Sequence, residues 1–268
     1  MKKLIYVVLT VLIVACSSDD SDSNQNGSVT DAKELVKVVL EGFNGLPYNL
    51  LFHYENGKVS KILDENHQWK HQIVYNSEGK VSRIYTEWIS QNQDNENFEW
   101  DIIDTAVYSE NVYENGKLVA IINDYGTPYE NLTSFIYEGD LLVQEKDKYR
   151  TRNYEYNSDD EMTHYILDER DNGGSIHMML VEFDNKVNPF YKLWNESKLK
   201  LPTESSYDHA NFLSFYPNNF IRQVGANDNE VDVIRIYNYD GDDHPISLNQ
   251  ENIQGEYNYS TNFFFEYN

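Results

Sequence analysis

Tyr54-Glu55-Asn56-Gly57-Lys58-Val59-Ser60-Lys61-Ile62 decides how the chain is read. Asn-Gly accepts positive φ at both central positions of a tight turn, as a type I′ turn requires, and that turn matches the twist of paired strands. Before it, Leu50-Leu51-Phe52-His53-Tyr54 is aromatic and aliphatic; after it come the β-branched Val59 and Ile62. The stretch therefore reads as a β-hairpin. Glu55 and Lys58 flank the turn, placed to pair across the strands. Val59 and Ile62 are three apart, which breaks strict alternation. Either a bulge lies between them or both sheet faces are partly covered.

The pattern returns in Tyr75-Asn76-Ser77-Glu78-Gly79-Lys80-Val81-Ser82-Arg83-Ile84 and Tyr113-Glu114-Asn115-Gly116-Lys117-Leu118-Val119-Ala120-Ile121, with weaker copies from Tyr137, Tyr156, Phe183 and Tyr239. Adjacent copies lie 21 residues apart (54 to 75), 24 (113 to 137) and 19 (137 to 156). Self-similarity at this period marks a repeated supersecondary unit. The expected fold class is all-β: an antiparallel up-and-down meander of hairpins, about a dozen or more short strands, curled or closed into a barrel-like sheet. Successive turns of a meander alternate ends. The glycine turns should gather at one end and the variable connections, including the long polar insertion 90–97, at the other, where a partner would be read. Residues 31–40 favour a first strand over a helix, because Val36, Val38 and Leu40 alternate with Lys37, Val39 and Glu41. Residues 188–219, with Pro189, Pro202 and Pro217, are irregular: a long loop or a degraded repeat.

The start of the chain is of another kind. Lys2 and Lys3 precede an apolar run from Leu4 to Val14, of signal-peptide length and too short to span a bilayer as a stable helix. Leu12-Ile13-Val14-Ala15-Cys16 resembles a lipobox, with the small residue that the peptidase needs before the cysteine. The expected layout is a signal peptide (1–15), a lipidated Cys16 opening an acidic disordered tether (16–30), and an all-β repeat domain (31–268). The tether, Ser17-Ser18-Asp19-Asp20-Ser21-Asp22-Ser23-Asn24-Gln25-Asn26-Gly27-Ser28, has nothing to bury, and its acidic cluster resembles the surface-export signal of Bacteroidota lipoproteins. Cys16 is the only cysteine, so no internal disulfide forms. The chain has 21 Lys+Arg against 45 Asp+Glu, a net charge of -24. Such a surface repels nucleic acid and anionic lipid; membrane contact is expected through the lipid on Cys16.

The turn copies resemble the tyrosine-aspartate (YD/Rhs-like) repeats of secreted bacterial proteins. The whole layout is similar to Bacteroidota lipoproteins built from such repeats, over residues 35–187 above all. The resemblance implies an antiparallel meander and no particular activity. Several turns depart from it: Asn185-Lys186 and Asn218-Asn219 stand where glycine is expected.

Chemistry is sparse. His67 and His71 form His-x-x-x-His without the glutamate of a zinc-protease motif or an evident third ligand. Residues 168–179 can be laid on a calcium loop, but Arg170 holds a ligand position and Met179 stands where a bidentate glutamate is needed. Asp240, Asp242 and Asp243 crowd one turn. No metal site and no cofactor is expected. No nucleophile elbow, phosphate loop or dinucleotide fingerprint occurs. Trp88 and Trp100 flank the polar insertion and Trp69 sits in another connection, making these three the aromatic candidates for a ligand site. Asp104-Thr105-Ala106 matches a short O-glycosylation pattern at Thr105. The expectation is an outer-membrane, lipid-anchored surface protein that is a non-enzymatic binding module for a protein or glycan. The alternatives are a glycan hydrolase whose acids are hidden among 45 and a purely structural envelope protein.

Overall fold

The computed structural model describes residues 33–41, 48–64, 69–88, 107–200, 214–225, 231–254 and 257–268. The expected signal peptide and tether, with Cys16, His67, Trp100 and Thr105, lie outside them. Among the described residues the elements are β1 (Leu35–Glu41), β2 (Tyr48–Glu55), β3 (Lys58–Asp64), β4 (Trp69–Tyr75), β5 (Val81–Trp88), β6 (Val107–Glu114), β7 (Lys117–Asn123), β8 (Asn131–Glu138), β9 (Leu141–Lys146), β10 (Thr151–Tyr156), β11 (Met162–Asp168), β12 (Ile176–Val187), α1 (Tyr191–Ser197), β13 (Asn218–Gly225), β14 (Val231–Tyr239), β15 (Pro245–Gln254) and β16 (Tyr257–Tyr267). Each strand pairs antiparallel with the next, and β16 pairs with β1, so the meander closes into a sixteen-stranded barrel. The alternating stretch at the N-terminal side is strand β1, as its pattern predicts.

The strand pairs that meet at the glycine-turn end share one bulge. Tyr54 faces Val59 while His53 faces Lys61, so Ser60 is an extra residue: a β-bulge. The same slip falls beside Tyr75, Tyr113, Tyr137, Tyr156, Phe183 and Tyr239. It falls also at the seam, where Leu35 faces Tyr267 but Lys37 faces Glu266. Strands β16 and β1, from opposite ends of the sequence, thus reproduce the unit that β2 and β3 form locally. The bulge resolves the spacing of Val59 and Ile62: both point inward and both are buried. Ser60, Ser82 and Thr163 use their hydroxyls to donate to the facing carbonyls of His53, Val74 and Glu155, at 3.2, 3.0 and 3.3 Å.

At five of these bulges the tyrosine ties one hairpin to the one before. Tyr75 donates to the Val59 carbonyl (2.6 Å), Tyr113 to Val81 (2.7 Å), Tyr156 to Leu142 (2.8 Å), Tyr267 to Pro245 (2.9 Å) and Tyr54 to Leu35 (3.0 Å). The lysine after the turn ties it to the one following. Lys58 donates to the Gly79 carbonyl (3.0 Å), Lys80 to Gly116 (3.0 Å) and Lys117 to Gly139. This corrects the expected pairing of Glu55 with Lys58. The two residues are opposite in register, but the next turn lies within reach of Lys58, and Glu55 meets Lys61 at 3.9 Å.

Two turn types explain the copies without glycine at the usual place. After Tyr54 and Tyr113 the turn is Asn-Gly with positive φ at Asn56 (54°), Gly57 (73°) and Asn115 (49°), as a type I′ turn demands. After Tyr75, Tyr156 and Tyr239 the turn is one residue longer. There the side-chain oxygen of Asn76, Asn157 or Asp240 accepts two backbone N–H groups across it. Asn185-Lys186 and Asn218-Asn219 are not turns: they belong to β12 and β13.

The described part of the irregular stretch between β12 and β13, residues 188–200 and 214–217, packs inside the barrel. Asn188 closes its neck, donating from its backbone N–H to the Pro217 carbonyl (2.9 Å) and from Nδ2 to Tyr216 (2.9 Å). Helix α1 is about two turns long, stopped by Lys198 in the left-handed region (φ 58°). Leu193 and Leu199 pack with β1–β5, β15 and β16, and Trp194 packs with strands of the other half. A sixteen-stranded barrel is wide enough to leave a channel; here both walls share one plug, and the apolar core lies at the glycine-turn end.

Candidate functional site

Towards the other end the inward side chains turn polar while staying buried. His71 on β4 meets Thr86 on β5 (Nδ1 to Oγ1 3.0 Å), and burial pulls its imidazole down to about 4, so it is neutral at physiological pH. Arg235 donates to Gln250 (2.8 Å), Gln250 to Asn252 (3.0 Å), and the guanidinium lies 4.7 Å over the Phe220 ring. Arg152 meets Glu145 at 2.9 Å and Asp147 at 3.7 Å, and Lys200, from the plug, hydrogen-bonds Glu145. Burial works to raise the Glu145 carboxyl, but Lys200 and Arg152 outweigh it and hold it below the ordinary glutamate value. A carboxylate ionised between two cations has no proton to donate at neutral pH. Its role is a tie between plug and wall, and 45 acids hid it from sequence reading.

The variable end holds the connections β1–β2, β3–β4, β5–β6, β7–β8, β9–β10, β11–β12, β13–β14 and β15–β16. Trp69 does not sit in a connection: it opens β4, and Trp88 closes β5, directly opposite in register. The chain brings these two together at the rim. Beside them, on the outer wall, Tyr85 lies 5.2 Å from Tyr108, and Tyr108 stacks at 5.2 Å on Tyr125 of the β7–β8 connection. Sequence reading passed over Tyr125, Tyr129 and Tyr149; their signal was an aromatic residue inside a turn rather than a strand.

The cation candidates are engaged by lysine and arginine. Asp168 grips Arg170 through Nε (2.9 Å) and Nη2 (2.6 Å) and is held at about 2 by those bonds. Lys33 meets Asp240 and Asp242 at 2.8 Å each, and Lys186 meets Asp243 at 2.7 Å. The outer wall carries ion pairs among exposed apolar residues such as Leu132 and Ile236: Lys37 with Glu266 (3.3 Å), Arg83 with Glu110 (3.2 Å), Arg222 with Glu182 (2.9 Å).

No family model and no curated protein matches the chain. Among solved structures it is similar to a porin-like protein from Bacteroides vulgatus ATCC 8482, at 11% identity and TM-score 0.44, covering 88% of this chain and 99% of that one. A porin-like protein from Bacteroides uniformis ATCC 8492 gives 11% identity and TM-score 0.40 over 87% and 98%. The structure of TcdB2-TccC3-TEV gives 11% and 0.25, over 85% of this chain and 14% of that one. A likeness of this extent leaves function to be read from the chain's own residues.

Proposed function

We propose that the chain is an exported surface protein, anchored in the outer membrane by lipid on Cys16, whose barrel is a non-enzymatic binding module. It reads a protein or glycan partner through the variable end. One observation carries this: β1 starts at the glycine-turn end, where Asn268 donates to the Glu34 carbonyl (3.0 Å), and every variable connection lies at the opposite end. A tether from Cys16 would join the barrel at the first end, which leaves the second free to face outward. Two features favour a binding module over a channel or a spanning barrel. Leu193, Trp194 and Leu199 pack in the interior against both halves of the wall, and the outer wall pairs charges where a lipid-facing wall would be a continuous apolar band. Trp69, Trp88 and Trp100 are the ligand contacts of this reading, and Thr105 a glycan attachment point.

The anchor is tested by palmitate labelling: a Cys16→Ala variant that labels as well as the natural chain would remove it. The outward end is tested by Asp171→Cys, 72% exposed in its side chain, probed on intact cells with a membrane-impermeant maleimide. Failure to label would place that end elsewhere. Recognition is tested by replacing Trp88 and Trp100 with Ala. Loss of partner capture at an unchanged melting temperature is expected; unchanged capture would refute the assignment.

A further inference from the structure

Three exposed tyrosines stand on two neighbouring connections of the variable end. Tyr125 (40% exposed) and Tyr129 (81%) lie between β7 and β8, and Tyr149 (50%) lies between β9 and β10. Their turns are closed by hydrogen bonds. Tyr125 donates its backbone N–H to the Tyr108 carbonyl (3.0 Å) and rests one ring face on Tyr108. The Tyr129 turn is closed by Thr127 N–H to Asp124 (3.0 Å), Gly126 N–H to the Glu130 carboxylate (2.9 Å) and Tyr129 N–H to Thr127 Oγ1 (3.1 Å). Asp147 Oδ1 accepts from both Tyr149 N–H (2.7 Å) and Arg150 N–H (3.0 Å). Large aromatic surface is thus held in water on backbone already ordered, which lowers the entropy cost of binding.

We propose that Tyr125, Tyr129 and Tyr149 form a rim that binds a neutral polysaccharide lying across successive turns, a proposal that rests on the recognition role of the variable end. A tyrosine ring offers an apolar face and a polar tip, matching a sugar ring with apolar C–H faces and hydroxyl edges. The two turns are two strand spacings apart, about 10 Å, too far for one monosaccharide and suited to an extended polymer. The polymer is neutral because a chain of net charge -24 repels a polyanion, and the nearby cations are engaged: Arg150 by Asp147 at 3.3 Å, Lys146 by Asp171 at 3.7 Å, and Lys148 over one face of the Tyr149 ring at 5.3 Å, leaving that ring's other face for the ligand. Asp124, Thr127, Glu130 and Lys148 separate the rings, so the rim lacks the continuous apolar centre of a stable protein interface.

Isothermal titration of the mature protein against soluble glucan, mannan and xylan, with polygalacturonate and alginate beside them, tests this. At least one neutral polymer should bind, insensitive to salt. The triple variant Tyr125→Ala, Tyr129→Ala, Tyr149→Ala should bind about tenfold or more weakly with little change in melting temperature. Tyr129→Ala alone keeps the test valid if the triple variant folds poorly. No binding to any neutral polymer, binding to polyanions only, or undiminished binding by the variants overturns the proposal. Capture of a protein partner that needs Trp88 but not these tyrosines would overturn the glycan rim and leave the recognition end standing; loss of both would end both.

Discussion

The hydroxyl of Tyr75 donates to the backbone carbonyl of Val59 at 2.6 Å, and the two residues belong to neighbouring hairpins. This lateral bond, with its counterparts at Tyr54, Tyr113, Tyr156 and Tyr267, explains why the repeat carries tyrosine and not phenylalanine. Tyr75→Phe leaves the buried side of the Val59 carbonyl without that donor and should cost about 1–3 kcal/mol in chemical denaturation. Tyr137 is the internal control, since its buried hydroxyl has no hydrogen-bond partner among the described residues. Tyr137→Phe should be neutral or slightly stabilising. Equal losses in both variants would show that ring packing alone, and not the lateral bond, fixes the tyrosine.

How far the sequence reaches can be judged from these residues. Tyr54, Asn56 and Gly57 are a local signal, because a turn type is set by a few consecutive φ angles. Strands, meander and the sorting of turns to one end follow from it. The bulge at Ser60 was one of two options, because choosing needs the partner strand's register. The Tyr75–Val59 bond joins residues sixteen positions apart, and no local pattern announces it. The plug was illegible for a different reason: α1 has seven residues, below what a helix needs to persist alone, and its helicity is stabilised by the core around Leu193 and Trp194. At the variable end the Trp69–Trp88 pairing needed the β4–β5 register, and three turn tyrosines were lost among 22.

Gly57 and Gly79 separate backbone strain from crowding. Both have positive φ, at 73° and 78°. A Cβ on Gly57 meets nothing within 4 Å, so Gly57→Ala should cost the left-handed penalty alone, about 1–2 kcal/mol. A Cβ on Gly79 would collide with Lys58 Nζ, the donor to the Gly79 carbonyl. Gly79→Ala should therefore lose that bond as well and melt lower than Gly57→Ala. Lys58→Met should reduce the difference between them; a difference that persists in the Lys58→Met background would contradict the lysine tie.

The Lys200–Glu145–Arg152 cluster should behave as a unit. Glu145→Leu leaves two cations facing each other in a buried site and should cost about 3–5 kcal/mol. Lys200→Met leaves Glu145 paired with Arg152 at 2.9 Å and should cost less. In the double variant the loss should fall short of the sum by about 0.5–3 kcal/mol. Strict additivity in urea melts would mean that Lys200 does not tie the plug to the wall.

His71 sets the acid limb of stability. Its folded pKa is depressed to about 4 by burial, below the 6.5 of the free side chain. The folded state therefore resists protonation. Its contribution is complete above pH 6.5, declines as the pH falls through the window from 6.5 to about 4, and amounts to about 3 kcal/mol at full extent. Glu145, depressed by Lys200 and Arg152 against its own burial, adds a loss of the same sign that begins only below its ordinary value near 4.5. His71→Gln keeps a group able to hydrogen-bond Thr86 and removes the titration. Urea melts across this range should show a sloping limb between pH 6.5 and 4.5 in the natural chain. In the variant that interval should be flatter, with the steeper fall beneath it retained. An identical slope in both proteins would show that His71 is solvated and titrates normally.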